Sequence, residues 1–295
     1  MNIRLATEAD LPDIYQVWYL NEVRGDPNPP APQPDDDTFA WELRTGRMMV
    51  AEQEGELVGF ASTLTRSDLV YLAEMFVNPE HQSSGIGRAL LREVMPPDGR
   101  VHWTSASTDH RALSLYARHG MQPLWPQFWL FARTDRLGLW GGANAISVYK
   151  AVAEDPILDS WDTDLSGRER VIDRQHWLET SDAIPLWITN EGRRVGYAYA
   201  HRRSPGALWN SDAMTIGPIG VHAAADVVGA VTAVIRWARL QNGANKLRML
   251  VPGPNLALPQ LLSIGFRITY VETYCSTSDR PVYDPTRYVC AGQWM

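Results

Sequence analysis

An internal repeat constrains the fold of this chain more than any other feature. Ile3-Arg4-Leu5-Ala6, with Asp10 behind it, recurs as Val148-Tyr149-Lys150-Ala151 with Asp155. Gly55-Glu56-Leu57-Val58-Gly59-Phe60 recurs as Gly192-Arg193-Arg194-Val195-Gly196-Tyr197. Val77-Asn78-Pro79 is echoed by Ile216-Gly217-Pro218, and Arg118-His119-Gly120-Met121 by Ser263-Ile264-Gly265-Phe266. The offsets stay between about 137 and 145 residues, a drift that a few loop insertions produce. Four echoes in one order divide the 295 residues into two domains of one plan, 1–137 and 145–295. Gly138, Gly141 and Gly142 supply a flexible joint between them.

Within each half, strand and helix periodicities alternate. In the first, residues 3–6 read as a strand and 10–20 as a helix, followed by a proline-rich acidic loop over 26–37. Strands follow at 48–53, 57–65 and 70–77, with Glu54-Gly55 as a hairpin turn. Ile86, Ala89, Leu90 and Val94 recur at helical spacing until Pro96-Pro97 stops the helix. A strand at 101–105, a helix at 112–119 ended by Gly120, and a strand at 125–133 complete the half. The second half keeps strands at 186–189, 195–201 and 214–219 and a helix at 223–241. The expectation is an α/β fold, each domain a mixed, mostly antiparallel sheet flanked by helices.

Composition narrows the function. A net charge of −7 and a pI near 5.5 leave no basic footprint for nucleic acid. No apolar run approaches membrane-spanning length, and no signal-peptide pattern opens the chain. Cys275 and Cys290 stand apart from any histidine cluster, so neither zinc nor a disulfide framework is expected. A cytoplasmic protein without metal fits this usage, and a homodimer stays open.

One segment carries chemistry. Gln82-Ser83-Ser84-Gly85-Ile86-Gly87-Arg88 lies between a strand and an apolar-periodic helix. A helix N-terminus leaves backbone N–H groups unpaired and carries a partial positive charge. Glycines there let a pyrophosphate approach the main chain, and the Arg88 guanidinium suits phosphate oxygens. Spacing alone leaves a plain glycine turn at the head of a core helix equally open.

The run Val77-Asn78-Pro79-Glu80-His81-Gln82-x-x-Gly85-x-Gly87-Arg88-Ala89-Leu90-Leu91 resembles the acetyl-CoA loop of the GCN5-related N-acetyltransferases, the GNAT family. The resemblance extends over nearly all of 1–135, from Ile3-Arg4-x-Ala6-x-x-x-Asp10 to Leu115-Tyr116-x-x-x-Gly120-Met121. It implies that a bulge parts the fourth and fifth strands, so that pantetheine lies along strand four. Main-chain groups of Met75, Phe76 and Val77 would hold it, while Gln82, Ser83, Ser84, Gly85, Ile86, Gly87 and Arg88 cradle the pyrophosphate. Tyr116 matches the family's acid, which protonates the departing thiolate; a core aromatic is its plain alternative. Asp109 stands where the family often carries a cofactor-contacting Asn, a departure, since Asp caps a helix but lacks amide donors. Glu74, three residues before Val77, is the candidate base or, equally, an outward-facing strand carboxylate, with His102 and His110 as weaker choices. His81 reads as a solvated loop residue.

The implied reaction moves an acetyl group from acetyl-CoA to a primary amine of a small molecule or peptide. Asp26 and Asp35-Asp36-Asp37 suggest an acidic lip for cationic amines, or merely a solvated loop stiffened by proline. Trp103, Trp125, Phe128 and Trp129 offer an apolar wall, or core. In the second half the loop has become His222-Ala223-Ala224-Ala225-Asp226-Val227-Val228, without the glycine pair. Ala257 and Leu261 stand against Ala112 and Tyr116. The expectation is a degenerate second copy and one active site. An alternative resemblance, to mycothiol synthase, weakens on the missing loop. A non-catalytic acyl-CoA-binding sensor is the alternative of a different class.

Overall fold

The computed structural model describes residues 1–33, 38–138, 145–204, 207–241, 243–290 and 292. In the leading half, β1 (Asn2–Leu5) is followed by α1 (Leu11–Glu22), α2 (Thr38–Thr45), β2 (Arg47–Gln53), β3 (Glu56–Arg66) and β4 (Leu69–Val77). After them come α3 (Ile86–Val94), β5 (Val101–Ala106), α4 (His110–Arg118) and β6 (Gln122–Arg133). The trailing half begins with β7 (Ile146–Lys150), α5 (Pro156–Ser166), α6 (Val171–Thr180), β8 (Ala183–Asn190), β9 (Arg193–His201) and β10 (Met214–Val221). It ends with α7 (Val227–Arg239), β11 (Lys246–Pro252), α8 (Leu258–Ser263), β12 (Arg267–Ser276) and β13 (Tyr288–Val289). The fold is a mixed α/β sheet flanked by helices.

Local chemistry explains the shared plan. Glu54 (φ 55°) and Gly55 (φ 90°) turn β2 into β3, and Glu191 (φ 48°) and Gly192 (φ 79°) turn β8 into β9. Two left-handed residues in succession match the right-handed twist of a tight hairpin, which is why the pair recurs. In α3, Ile86, Leu90, Leu91 and Val94 are buried along one stripe. Helix α2 lies just beyond the expected loop; Phe39, Trp41 and Glu42 are buried in it. Helices α5 and α6 fill a stretch for which the sequence carried no expectation. Asp155 caps α5 by accepting from the N–H groups of Ile157 (2.9 Å) and Leu158 (3.4 Å).

Among the described residues all thirteen strands join one sheet, in the order β1-β2-β3-β4-β5-β12-β6-β11-β10-β9-β8-β7, with β13 added on β10. The centre of this order departs from two self-contained domains. Strand β12 of the trailing half lies between β5 and β6, and β6 of the leading half lies between β12 and β11. Each half therefore closes its sheet with a strand of the other. An aromatic core crosses the same seam: Trp41, Tyr71 and Trp103 pack in one cluster with Trp177, Tyr199, Tyr274 and Tyr283. The buried pair Arg66–Asp173 (2.6 Å) and the stack of Trp41 on His176 (4.6 Å between rings) add polar and aromatic links. The glycine joint lies in part outside the described residues, as do Asp35, Asp36 and Asp37.

Candidate active site

Strands β4 and β5 run parallel only from Leu69↔Val101 to Tyr71↔Trp103. Beyond that point they separate, and the β3–β4 register shifts across Ala73, between Thr63↔Leu72 and Ser62↔Glu74. A bulge bends one strand and increases its local twist, which opens a cleft beside the rest of β4. The Thr104 hydroxyl donates to the Leu72 carbonyl (2.9 Å) at the apex. Past it, Glu74, Met75, Phe76 and Val77 line a cavity of about 1030 Å³. The expected parting of the strands is thus present.

The glycine loop closes one end of this cavity. Ser83 (φ 66°) and Gly85 (φ 92°) take left-handed conformations, so the chain turns sharply into the first turn of α3. A Cβ added at Gly85 would meet nothing within 4 Å, so the demand there is conformation and the space beside it is open. At Gly87 an added Cβ would touch Leu115, Val77 and Met75 at 3.6–4.0 Å, inside the cavity. Arg88 is exposed on the first turn of α3 and lines the same space. The Gln82 amide is turned inward: it donates to Asn21 Oδ1 (2.9 Å) and the Val77 carbonyl (3.1 Å) and accepts from Arg24 (2.7 Å). It ties α1 to the end of β4. Ser84 alone of the expected loop residues does not line the cavity; its hydroxyl donates to the His81 carbonyl.

Tyr116, on α4, is 6% exposed and lines the cavity. Among the described residues its hydroxyl has no hydrogen-bond partner. Burial, with the nearby Cys275, Glu74 and Asp109, raises its pKa well above the ordinary phenol range. Asp109 caps α4 through the Arg111 N–H (2.8 Å) and pairs with the Arg111 guanidinium (2.6 Å). That pairing lowers its pKa to about 2. Its carboxylate is committed to the helix, and it reaches the cavity rim only as a cap. Glu74 is half-buried on β4 and faces the cavity with Tyr71 and Tyr116.

Other expected candidates lie elsewhere. His102 is buried against Asp98 (3.1 Å) and His119, outside the cavity, and His110 is exposed at the start of α4. His81 does line the cavity rim. Asp26 caps its own turn at Asn28 N–H (2.8 Å). Of the four aromatic wall candidates, only Trp129 lines the cavity. Trp103 is fully buried, Trp125 stacks on Tyr274 at 4.1 Å, and Phe128 packs on the trailing core.

The far end of the cavity is built by residues that no motif announces. Glu22, at the end of α1, lines it while keeping an exposed surface; desolvation by the protein around it, together with the Glu272 charge, raises its pKa to about 7. Glu272, on the exchanged β12, accepts from Trp129 Nε1 (2.8 Å) and from Ser105 Oγ; burial raises its pKa too. Tyr270 and Arg248 join them, with Leu208, Trp209 and Asn210 from the loop before β10. Leu208 packs against Ile14, Val17 and Trp18 of the leading half. Half-local sequence patterns cannot find these residues, because the strand exchange is what delivers them. The single carboxylate in the apolar run Tyr270–Tyr274 is the one signal available.

The trailing half has an equivalent cleft, filled from within. Strands β10 and β11 run parallel only over Met214↔Leu247 and Thr215↔Arg248, and a register shift follows between Ile216 and Ile219. The space beyond holds β13, paired at Ile219↔Val289 and Gly220↔Tyr288, and the Cys290 N–H donates to the Leu250 carbonyl at 3.0 Å. The chain's own backbone lies where, in the leading half, the β4 edge is open. Asp226, at the head of α7, accepts from the Asn190 amide (2.9 Å).

Comparison with known proteins follows the same lines. Residues 44–123 match the family model described as the acetyltransferase (GNAT) domain. No curated protein matches the chain. Among solved structures, an acetyltransferase-like protein from Pyrococcus horikoshii aligns over 99% of this chain and 94% of its own, with a TM-score of 0.75 and 16% identity. A tandem GNAT protein from the clavulanic acid biosynthesis pathway aligns over 95% and 99%, with a TM-score of 0.62 and 14% identity. A GCN5-related N-acetyltransferase from Sphaerobacter thermophilus aligns over 97% and 98%, with a TM-score of 0.61 and 15% identity. At such identities the shared property is the fold. Among the described residues no group of metal-ligating side chains occurs, and no helix is long and apolar enough to cross a membrane.

Proposed function

We propose that this chain, which has the tandem GNAT fold and a GNAT acetyltransferase domain over residues 44–123, transfers an acetyl group from acetyl-CoA to a primary amine at one site. Residues 1–137 form the active domain, and 145–295 form a second domain that has lost its cofactor groove. The observation that carries this reading is the open edge of β4 ending at a left-handed glycine loop. An extended pantetheine fits that edge as a further strand would, with the main chain of Met75, Phe76 and Val77 as its partners. The N–H groups from Ser83 to Arg88 suit the pyrophosphate. A sensor that binds acyl-CoA without turnover would not need Tyr116 and Glu74 facing one space.

In the reaction the amine nitrogen attacks the thioester carbonyl carbon, the new C–N bond forms and the C–S bond breaks. The departing sulfur takes the Tyr116 proton. Because burial raises the phenol, Tyr116 is protonated throughout the physiological range and is ready as the donor. Glu74 takes the proton that the amine must lose, directly or through water. Glu22 is a second reading for this base, favoured by its access to the cavity and a pKa of about 7. Asp109 positions α4 rather than holding the cofactor. Two free, buried thiols suit a reducing cytoplasm, where we place the chain.

The test is direct. Acetyl-CoA should bind by calorimetry at one site per chain, and CoA release should follow when an amine panel is added. Gly87→Glu places a carboxylate in the pyrophosphate cradle and should remove binding, with the melting temperature of the free protein little changed. Retained binding in that variant, or binding without CoA release across the panel, would overturn the reading.

A further inference from the structure

The acceptor end of the cavity holds an arginine that the acetyl-transfer chemistry does not use. Alternation along β11 sends Leu247, Met249 and Val251 into the helix-side core and Arg248 to the opposite face, into the cavity. Its Nε donates to Thr215 Oγ1 (2.7 Å), and its guanidinium lies over the Trp129 ring at 5.2 Å from the centroid. Among the described residues it has no carboxylate within ion-pair distance. An enclosed guanidinium without a counter-charge is costly, and burial pulls Arg248 down to about 10. Elsewhere Arg66 pairs with Asp173 and Arg170 and Arg174 pair with Asp162, while the buried Arg168 is held by the Ser166 carbonyl and the Trp103 ring and faces no comparable open space.

The same indole that Arg248 covers also reaches a carboxylate, since Trp129 Nε1 donates to Glu272. Glu272 lies close enough to Glu22 for its charge to help raise the Glu22 carboxyl. The acceptor end thus has an acidic side and a cationic side flanking one aromatic ring. An acidic pair attracts an ammonium group, and a guanidinium with free N–H donors receives planar carboxylates or phosphates. An acceptor bearing only an amine would leave Arg248 enclosed and unpaired.

We propose that the acceptor is an amine that also carries an anionic group, a carboxylate or phosphate, and that Arg248 receives this group while Glu22 and Glu272 draw in the amine. The assignment rests on the acetyltransferase reading of the same site. It makes the trailing half the specificity element of the leading half's reaction, because Arg248 and Glu272 both belong to residues 145–295.

The experiment uses the full chain and matched acceptors: γ-aminobutyrate against its amide, lysine against cadaverine, and phosphoethanolamine against ethanolamine. Binding to the CoA-loaded protein is measured by calorimetry, and turnover by CoA release. Anionic members should bind at least about tenfold more tightly than their neutral partners, as a charge-assisted contact implies. In Arg248→Gln that ratio should collapse toward one, and Arg248→Lys should restore part of it for the phosphate member. Acetyl-CoA affinity, measured alongside, reports on folding and on the parent reading. If acetyl-CoA binds but neutral amines match or exceed the anionic ones, or Arg248→Gln weakens both members equally, the proposal is overturned and the transferase reading stands. If no anionic member binds the CoA-loaded protein, it is overturned as well. Failure of acetyl-CoA itself to bind sinks the parent reading instead.

Discussion

Tyr116, buried, and Glu22, more exposed, line the same cavity, and desolvation shifts both acids in one direction with different results. For Tyr116, a rise from an already high value leaves its protonation at neutral pH unchanged and preserves it as a donor. Tyr116→Phe should lower kcat by about 100-fold or more while leaving acetyl-CoA affinity within about twofold, checked by steady-state kinetics beside calorimetry. Equal loss of both would mean that the ring is core and nothing else. For Glu22, a rise to about 7 places its titration in the working range. Between the ordinary carboxylate value of about 4.3 and 7, the folded chain holds a proton that the unfolded chain has released. Stability should therefore fall as pH rises through that window, and Glu22→Gln should flatten the fall, read from denaturant midpoints across it. The glycine loop, Tyr116 and Glu74 were readable in the sequence because loop and helix motifs are local. Glu22 carries no local signature, and Glu272 and Arg248 reach the site only through long-range pairing.

Hairpins, the α3 stripe and the succession of strands in the leading half followed from turn residues and periodicity, which act over a few positions; β11 and β12 of the trailing half did not. Helices α2, α5 and α6 did not. The first lies between a proline-rich loop and a strand, and the others bury polar residues such as Asp162, Asp173 and Arg174 that blur an apolar stripe. The two-residue β13 is below the length at which any strand pattern can be recognised, yet it settles the state of the trailing cleft. Cys290→Pro removes the N–H that bonds to Leu250 and should destabilise the protein by about 2 kcal/mol or more, seen as a lower melting temperature. Acetyl-CoA stoichiometry should stay at about one, because the head of α7 offers Asp226 where the leading half has glycine. A second equivalent of bound cofactor would show that β13 alone had been keeping a competent groove shut.

Over the whole molecule, the repeat was visible as four echoes, but the exchange of β6 and β12 was not. The two last strands are alike in plan, so the pattern of either half is satisfied whichever neighbour it receives. Pairing partners are chosen by cross-strand packing, and here Trp129 and Glu272 meet across that seam at 2.8 Å. The buried Arg66–Asp173 pair and the shared aromatic cluster, against which Trp129 also packs, hold the same interface. A separated leading half would lack both the strand between β5 and β6 and the residues that build the far end of the cavity.

For a chain made from its N-terminus onward, the exchange also sets an order of events. The leading half emerges from the ribosome with its glycine loop and with β5 paired to β4, but the other edge of β5 stays open until Arg267–Ser276 follows. The far end of the cavity is thus complete only once β12 has been made, and a polypeptide cut short before Arg267 holds the glycine loop without the strand that delivers Glu272.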